Sequence, residues 1–176
     1  MKVLPALLLS FFSLAAFADT PMPPPELQTT CSASKVICAV SDPATNATVV
    51  SSRVPTPRSW TIPGWHRWVF PSDDGVSVVV AYGGMNLVPR NVELTEPVLF
   101  FYNEQQLVRT VRLGDLYRRK GKLQRTVSHY AWVSTITINP SNQLVIERVD
   151  GAKIAFSLPS GDKEPLRPDG ATRHRN

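Results

Sequence analysis

The stretch Arg67-Trp68-Val69-Phe70-Pro71-Ser72-Asp73-Asp74-Gly75-Val76-Ser77-Val78-Val79-Val80-Ala81-Tyr82 decides how this chain folds. Two runs rich in β-branched and aromatic side chains flank residues 71–75, a cluster of turn formers. That combination is the signature of an antiparallel hairpin. No helical periodicity of useful length competes with it, here or elsewhere beyond the N-terminal segment.

The same alternation of strand and turn signals continues on both sides. Downstream, residues 98–102 and 107–113 flank Asn103-Glu104-Gln105-Gln106 and predict a second hairpin with a longer turn. Residues 126–138, a turn at Asn139-Pro140-Ser141-Asn142, residues 143–149, Asp150-Gly151 and residues 152–158 predict a third meander. Upstream, residues 35–40 and 48–52 predict two short strands around a turn. The segment between the first two hairpins, 83–97, carries two Gly and two Pro and reads as a loop or edge excursion. Residues 114–120 predict one helical turn with Asp115 as N-cap, ended by Gly121. The expected fold is therefore mainly β, an antiparallel meander forming a sandwich or open barrel with at most one short helix.

Asp150-Gly151 leaves two registers open. A two-residue loop sets Arg148 opposite Lys153, a destabilising like-charge pair. A shift by one aligns Leu144 with Leu158 and Ile146 with Phe156, at the cost of placing Ala152 in a poor turn position.

At the N-terminus, Lys2, a nearly uninterrupted apolar run over residues 3–17 and the small-x-small ending Ala16-Phe17-Ala18 read as a secretory signal peptide cleaved after Ala18. The expected organisation is a signal peptide at 1–18, a Pro-rich segment at 19–30, one β-rich domain at 31–160 and a charged, Pro-rich disordered tail at 161–176. The expected location is the periplasm or the medium. The 158 residues left after cleavage suffice for a single core without staples. No later apolar run reaches membrane-spanning length, so no membrane span is expected.

Cys31 and Cys38 are the only cysteines, and in an oxidising compartment they predict one disulfide closing a short loop. A redox role calls for a tighter Cys-x-x-Cys, and a zinc shell calls for further His or Cys, so neither metal nor cofactor is expected. Asp73-Asp74-Gly75 reads as a turn rather than a calcium loop.

The mature chain carries a modest positive excess, concentrated between Arg109 and Arg125. Arg118, Arg119, Lys120 and Arg125 are candidate contacts to an anionic partner, against the alternative of a solvated loop that keeps the protein soluble. Nucleic acid is not expected outside the cell. Three of the four tryptophans fall within nine residues, at Trp60, Trp65 and Trp68, interleaved with Pro63, Gly64, His66 and Arg67. Trp60, Trp65, His66 and Arg67 are candidates for a rigid stacking surface, against the alternative of a core under a loop, in which Trp68 is the residue expected to be buried. His129 is the one candidate for general-base chemistry, against a hydrogen-bonded structural histidine, with strand alternation sending the adjacent Ser128 to the opposite face. No Gly-x-Ser-x-Gly elbow, His-Glu-x-x-His helix or phosphate-binding Gly-rich loop occurs in the sequence.

Asp73-Asp74-Gly75-Val76, residues 98–102 with Leu107-Val108-Arg109-Thr110, residues 125–132, and Asp150-Gly151 with its following strand resemble uncharacterised exported bacterial β-rich proteins. The run over roughly 65–160 is also similar to a stretch of β-propeller blades. The resemblance implies a β-meander and no activity. The functional expectation is an exported soluble binding module engaging a protein or an anionic envelope component. The alternatives are a small envelope hydrolase using His129 and a purely structural envelope protein.

Overall fold

The computed structural model describes residues 22–168; residues 1–18, with the cleavage position after Ala18, and residues 169–176 lie outside the described residues. Among the described residues the chain is mainly β, in four antiparallel sheets, none closed into a barrel, with one short helix and one 3-10 turn. The first sheet is a simple meander of β1 (Gln28–Cys31), β2 (Ile37–Asp42), β3 (Ala47–Ser52) and β4 (Arg58–Pro63). The second pairs β5 (Val69–Pro71) with β6 (Ser77–Ala81). After an excursion carrying β7 (Leu87–Pro89), it continues as β8 (Pro97–Asn103) and β9 (Gln106–Arg112). A small third sheet joins β10 (Gln124–Arg125) and β11 (His129–Ala131) to β7. The fourth is β12 (Val133–Ile138), β13 (Gln143–Arg148), β14 (Lys153–Ser157) and β15 (Lys163–Glu164).

The unbroken apolar run of β6 makes the second sheet the middle layer. Successive side chains on a strand point to opposite faces. Val78 and Val80 enter one core with Ile37, Ala39, Val50, Trp60 and Ile62 of the first sheet. Val79 and Ala81 enter the larger core with Leu99, Phe101, Trp132, Leu144, Ile146 and Phe156. A strand covered on both faces reads as a continuous hydrophobic run, whereas β3 and β4, covered on one, alternate strictly.

Several expectations are corrected by packing. The excursion 83–97 contains β7, which pairs with β11. The strand expected over 126–138 is cut at Trp132, whose fully buried indole donates to the Met85 carbonyl at 2.7 Å and whose amide donates to Asn86 at 3.0 Å. The indole N–H meets its partner outside the strand, at the point where the chain passes from one sheet into another. The helix, Leu113–Leu116, begins earlier than expected because Leu113 and Leu116 are both core residues. Asp115 is then at its third position and reaches back to the Arg112 amide at 2.8 Å.

The β13–β14 register is neither of the two the sequence left open. Glu147 faces Lys153, Ile146 faces Ile154 and Leu144 faces Phe156. A longer loop is closed by Arg148 N–H to Ala152 O and Gly151 N–H to Arg148 O, both 2.9 Å, with Gly151 at φ +80°. The like-charge pair disappears: Glu147 and Lys153 form an ion pair at 3.6 Å, and Arg148 bonds Asp150 and the Leu116 carbonyl.

Both ends of the described chain are more engaged than their composition suggests. Residues 161–168, expected to open a disordered tail, add β15, because the fully buried Gln143 carboxamide needs partners and finds them in Glu164 Oε1, the Pro165 carbonyl and the Arg167 amide, each at 2.9 Å. At the other end, β1 begins within residues 19–30, the segment expected to be Pro-rich and separate from the β domain. Extended Pro-rich backbone leaves its carbonyls unpaired, and Pro23 and Glu26 use theirs to accept from Arg67 Nη2 (2.6 Å) and Trp65 Nε1 (2.9 Å).

Candidate functional site

The tryptophan segment serves the fold. Trp60, on β4, is buried in the smaller core, so it and not Trp68 is the enclosed indole; Trp68 is half-buried and meets Phe70 edge-on at 6.1 Å. Trp65 lies beneath Arg67, whose guanidinium carbon is 4.9 Å from its ring centre, and both are tied to the N-terminal segment. His66 Nε2–H donates to the Pro63 carbonyl (2.9 Å), and the His66 carbonyl accepts from Gln28 Nε2 (2.6 Å). Burial lowers the His66 pKa, outweighing the opposite effect of the Pro63 carbonyl.

The basic segment is held by its apolar residues. Tyr117 and Leu123 are core residues on either side of the 3-10 turn Lys120–Lys122. The Tyr117 hydroxyl donates to the Trp132 carbonyl and accepts from Val149 N–H at 3.4 Å, and Arg148 stacks on its ring. Arg90 grips the far side through the Thr126 and Val127 carbonyls. On this frame Arg118, Arg119 and Arg125 are exposed and make no ion pair among the described residues. Lys120, by contrast, pairs with Glu93 at 3.1 Å. The loop presents three guanidinium groups without ion-pair partners among the described residues, on a backbone flanked by the core residues Tyr117 and Leu123.

His129 is half-exposed on β11. Its Nδ1 is 2.7 Å from Ser128 Oγ, because Ser128 precedes the strand and escapes the alternation expected of it. His129 lines none of the three cavities described below.

Sequence reasoning missed a cleft formed by turns. The first turns of the three large sheets share one geometry, a left-handed residue in fourth place: Lys35 (φ 60°), Gly75 (φ 79°) and Asn142 (φ 57°). They converge through side chains. Ser34 donates its amide (3.0 Å) and hydroxyl (2.6 Å) to Asp73 Oδ1, Ser72 donates to Asn142 Oδ1 (2.6 Å), and Asn142 Nδ2 donates to Asp74 Oδ2 (3.3 Å). Between them opens a cavity of about 510 Å³ walled by Ala33, Pro71, Ile138 and Pro140, with Asp73, Asp74, Asn139 and Asn142 as its polar groups. A second cavity of about 300 Å³ continues from it over Thr30, Cys31, Val69 and Phe70, sharing Ala33, Pro71 and Ile138. A third, of about 310 Å³, lies beyond Asn139 against Lys153 and Arg167. Comparisons with known protein families, with curated proteins and with solved structures return no match for this chain. Any signal for the cleft lay in the repeated Ser-containing turns 32–35 and 72–75, whose convergence depends on tertiary packing.

Asp73 and Asp74 play different parts in this cleft. Asp74 Oδ1 accepts from the amides of Val76 (2.9 Å) and Ser77 (2.8 Å), so it builds the turn. Asp73 is exposed. Partial burial raises its pKa, but hydrogen bonds from Ser32 and Ser34 outweigh this and hold it below the ordinary carboxylate range. Cys31 and Cys38 face one another across β1 and β2, joined as a disulfide with a Cα–Cα distance of 4.0 Å. Among the described residues no three His, Cys, Asp or Glu side chains cluster to hold a metal ion, and no helix is long and apolar enough to cross a membrane.

Proposed function

We propose that this chain is an exported, non-enzymatic binding module that engages an anionic partner through the loop carrying Arg118, Arg119 and Arg125. The observation that carries this reading is three exposed, unpaired guanidinium groups on a backbone anchored by Tyr117 and Leu123. Fixing a charged surface in advance removes part of the ordering cost of binding, and guanidinium forks match carboxylate and phosphate geometry. Export rests on the signal-peptide reading of residues 1–18, with which the disulfide agrees.

Binding to vesicles containing phosphatidylglycerol and to soluble polyphosphate, at ionic strength near 0.15 M, tests this. The variant R118E/R119E/R125E should bind about tenfold or more weakly to one of the two anions, whereas Arg53→Glu, an exposed charge reversal in the loop between β3 and β4, should change little. Equal losses per charge in both variants would reduce the effect to net charge and overturn the assignment.

The 2.7 Å contact between Ser128 Oγ and His129 Nδ1 favours a second reading, a small envelope hydrolase. Turnover of activated esters that disappears in both Ser128→Ala and His129→Ala would establish it.

A further inference from the structure

The cleft between the first turns has an asymmetry that selects its occupant. At one end stands Asp73, the exposed carboxylate of the pair, kept ionised by Ser34, while both oxygens of Asp74 are bonded within the protein. The walls behind it, Pro71, Ile138, Pro140 and Ala33, are apolar. Farther along β1 and β5 the surface becomes the patch of Val69, Phe70 and Cys31. Arg167, which lines the adjoining cavity beyond Asn139, is already paired with Glu164.

A bare cation gains nothing from those walls, and a purely apolar ligand leaves the carboxylate unpaired. A lysine or arginine side chain satisfies both, laying its methylene stem on apolar surface while its head reaches a carboxylate. The space exceeds one such side chain and runs on along two strand edges, which suits extended backbone, whose residues advance about 3.3 Å each and whose alternate side chains share a face. We propose that this cleft is a docking site for an extended peptide segment of a partner protein. An arginine or lysine of the segment pairs with Asp73, and an apolar residue two positions away lies against Phe70 and Ile138. The site is separate from the basic loop and does not rest on that loop's role.

The test is an NMR titration of the disulfide-bonded protein with acetyl-Ala-Arg-Ala-Leu-amide and with its citrulline counterpart, which keeps the shape and removes the charge. The arginine peptide should shift the amides of Ala33, Ser34, Asp73 and Asn142 and bind about tenfold more tightly than the citrulline peptide. Asp73→Asn retains the acceptor for Ser34 and should abolish that difference. Pro140→Lys, at an exposed turn position, should weaken the arginine peptide selectively. R118E/R119E/R125E should leave the titration unchanged, separating failure here from failure of the basic-loop assignment. Equal binding of the two peptides, shifts confined to other surfaces, or no shifts at millimolar peptide would overturn the proposal.

Discussion

The guanidinium carbon of Arg148 sits 4.5 Å from the centre of the Tyr117 ring, joining the last turn of the β13–β14 hairpin to the start of the basic loop. The same tyrosine hydroxyl serves the Trp132 carbonyl and the Val149 amide, so one side chain ties three segments together. Tyr117→Phe keeps the ring and the stacking but strands a buried carbonyl. It should destabilise the protein by about 1–2 kcal/mol, read from urea unfolding with an unchanged denaturant slope. Loss below about 0.5 kcal/mol would show that water replaces the hydroxyl and that the loop is not anchored through it.

That contact also marks the boundary of what the sequence could tell. Elements set by local pattern were legible: the β5–β6 hairpin, the two N-terminal strands, the β8–β9 hairpin (whose turn is the two residues Glu104-Gln105 and not the longer one expected) and the Cys31–Cys38 pair follow from β-branched runs, turn formers and spacing. What escaped was decided by the needs of buried polar groups far away in sequence. The strand breaks at Trp132, whose indole bonds the Met85 carbonyl, Gln143 recruits residues 164–167, and Arg148, the last residue of β13, sends its side chain to the Tyr117 ring and the Leu116 carbonyl. The basic loop was visible as composition, yet its anchoring through Tyr117 and Leu123 was not. The cleft was invisible because Ser34, Asp73 and Asn142 gain meaning only when three turns meet.

The disulfide closes an eight-residue ring between two strands that already pair. Its chain-entropy contribution for so short a loop is about 2.5 kcal/mol. Cys31→Ser/Cys38→Ser should lower the unfolding free energy by that order, and the wild type measured in reductant should match the double variant. A double variant as stable as the oxidised protein would mean that β1 is held by its ladder alone.

Two glycines share a backbone conformation and differ in surroundings, which separates strain from collision. Gly151 (φ +80°) has open space where a Cβ would stand, whereas at Gly75 (φ +79°) a Cβ would lie 2.7 Å from Val54 Cγ2 and 2.9 Å from the Val54 carbonyl. Gly151→Ala should cost about 1 kcal/mol for the left-handed conformation alone. Gly75→Ala should cost at least about twice that, because the 52–55 segment must shift as well. Equal costs in thermal unfolding would show that Val54 yields freely and that the two sheets are not locked at this turn.

His66 gives the fold a pH dependence of definite sign. Burial makes the folded state reluctant to hold the imidazolium, so its folded pKa lies below the ordinary value of 6.5, which the unfolded chain retains. Below 6.5 the unfolded state binds the additional proton first, and stability therefore falls as pH drops through the window between 6.5 and the lowered folded value. Above it the group contributes no slope. The lowered carboxyl of Asp73 acts on the same principle in a lower window, beneath its ordinary value of 3.8. The melting temperature of the wild type should thus be level from pH 7.5 to about 6.5 and decline as the pH falls below that. His66→Gln removes the titrating group while keeping a donor for the Pro63 carbonyl, and it should flatten that decline. An unaltered decline in the variant would place the proton uptake elsewhere and separate the Trp65–Arg67 segment from the acid sensitivity of the fold.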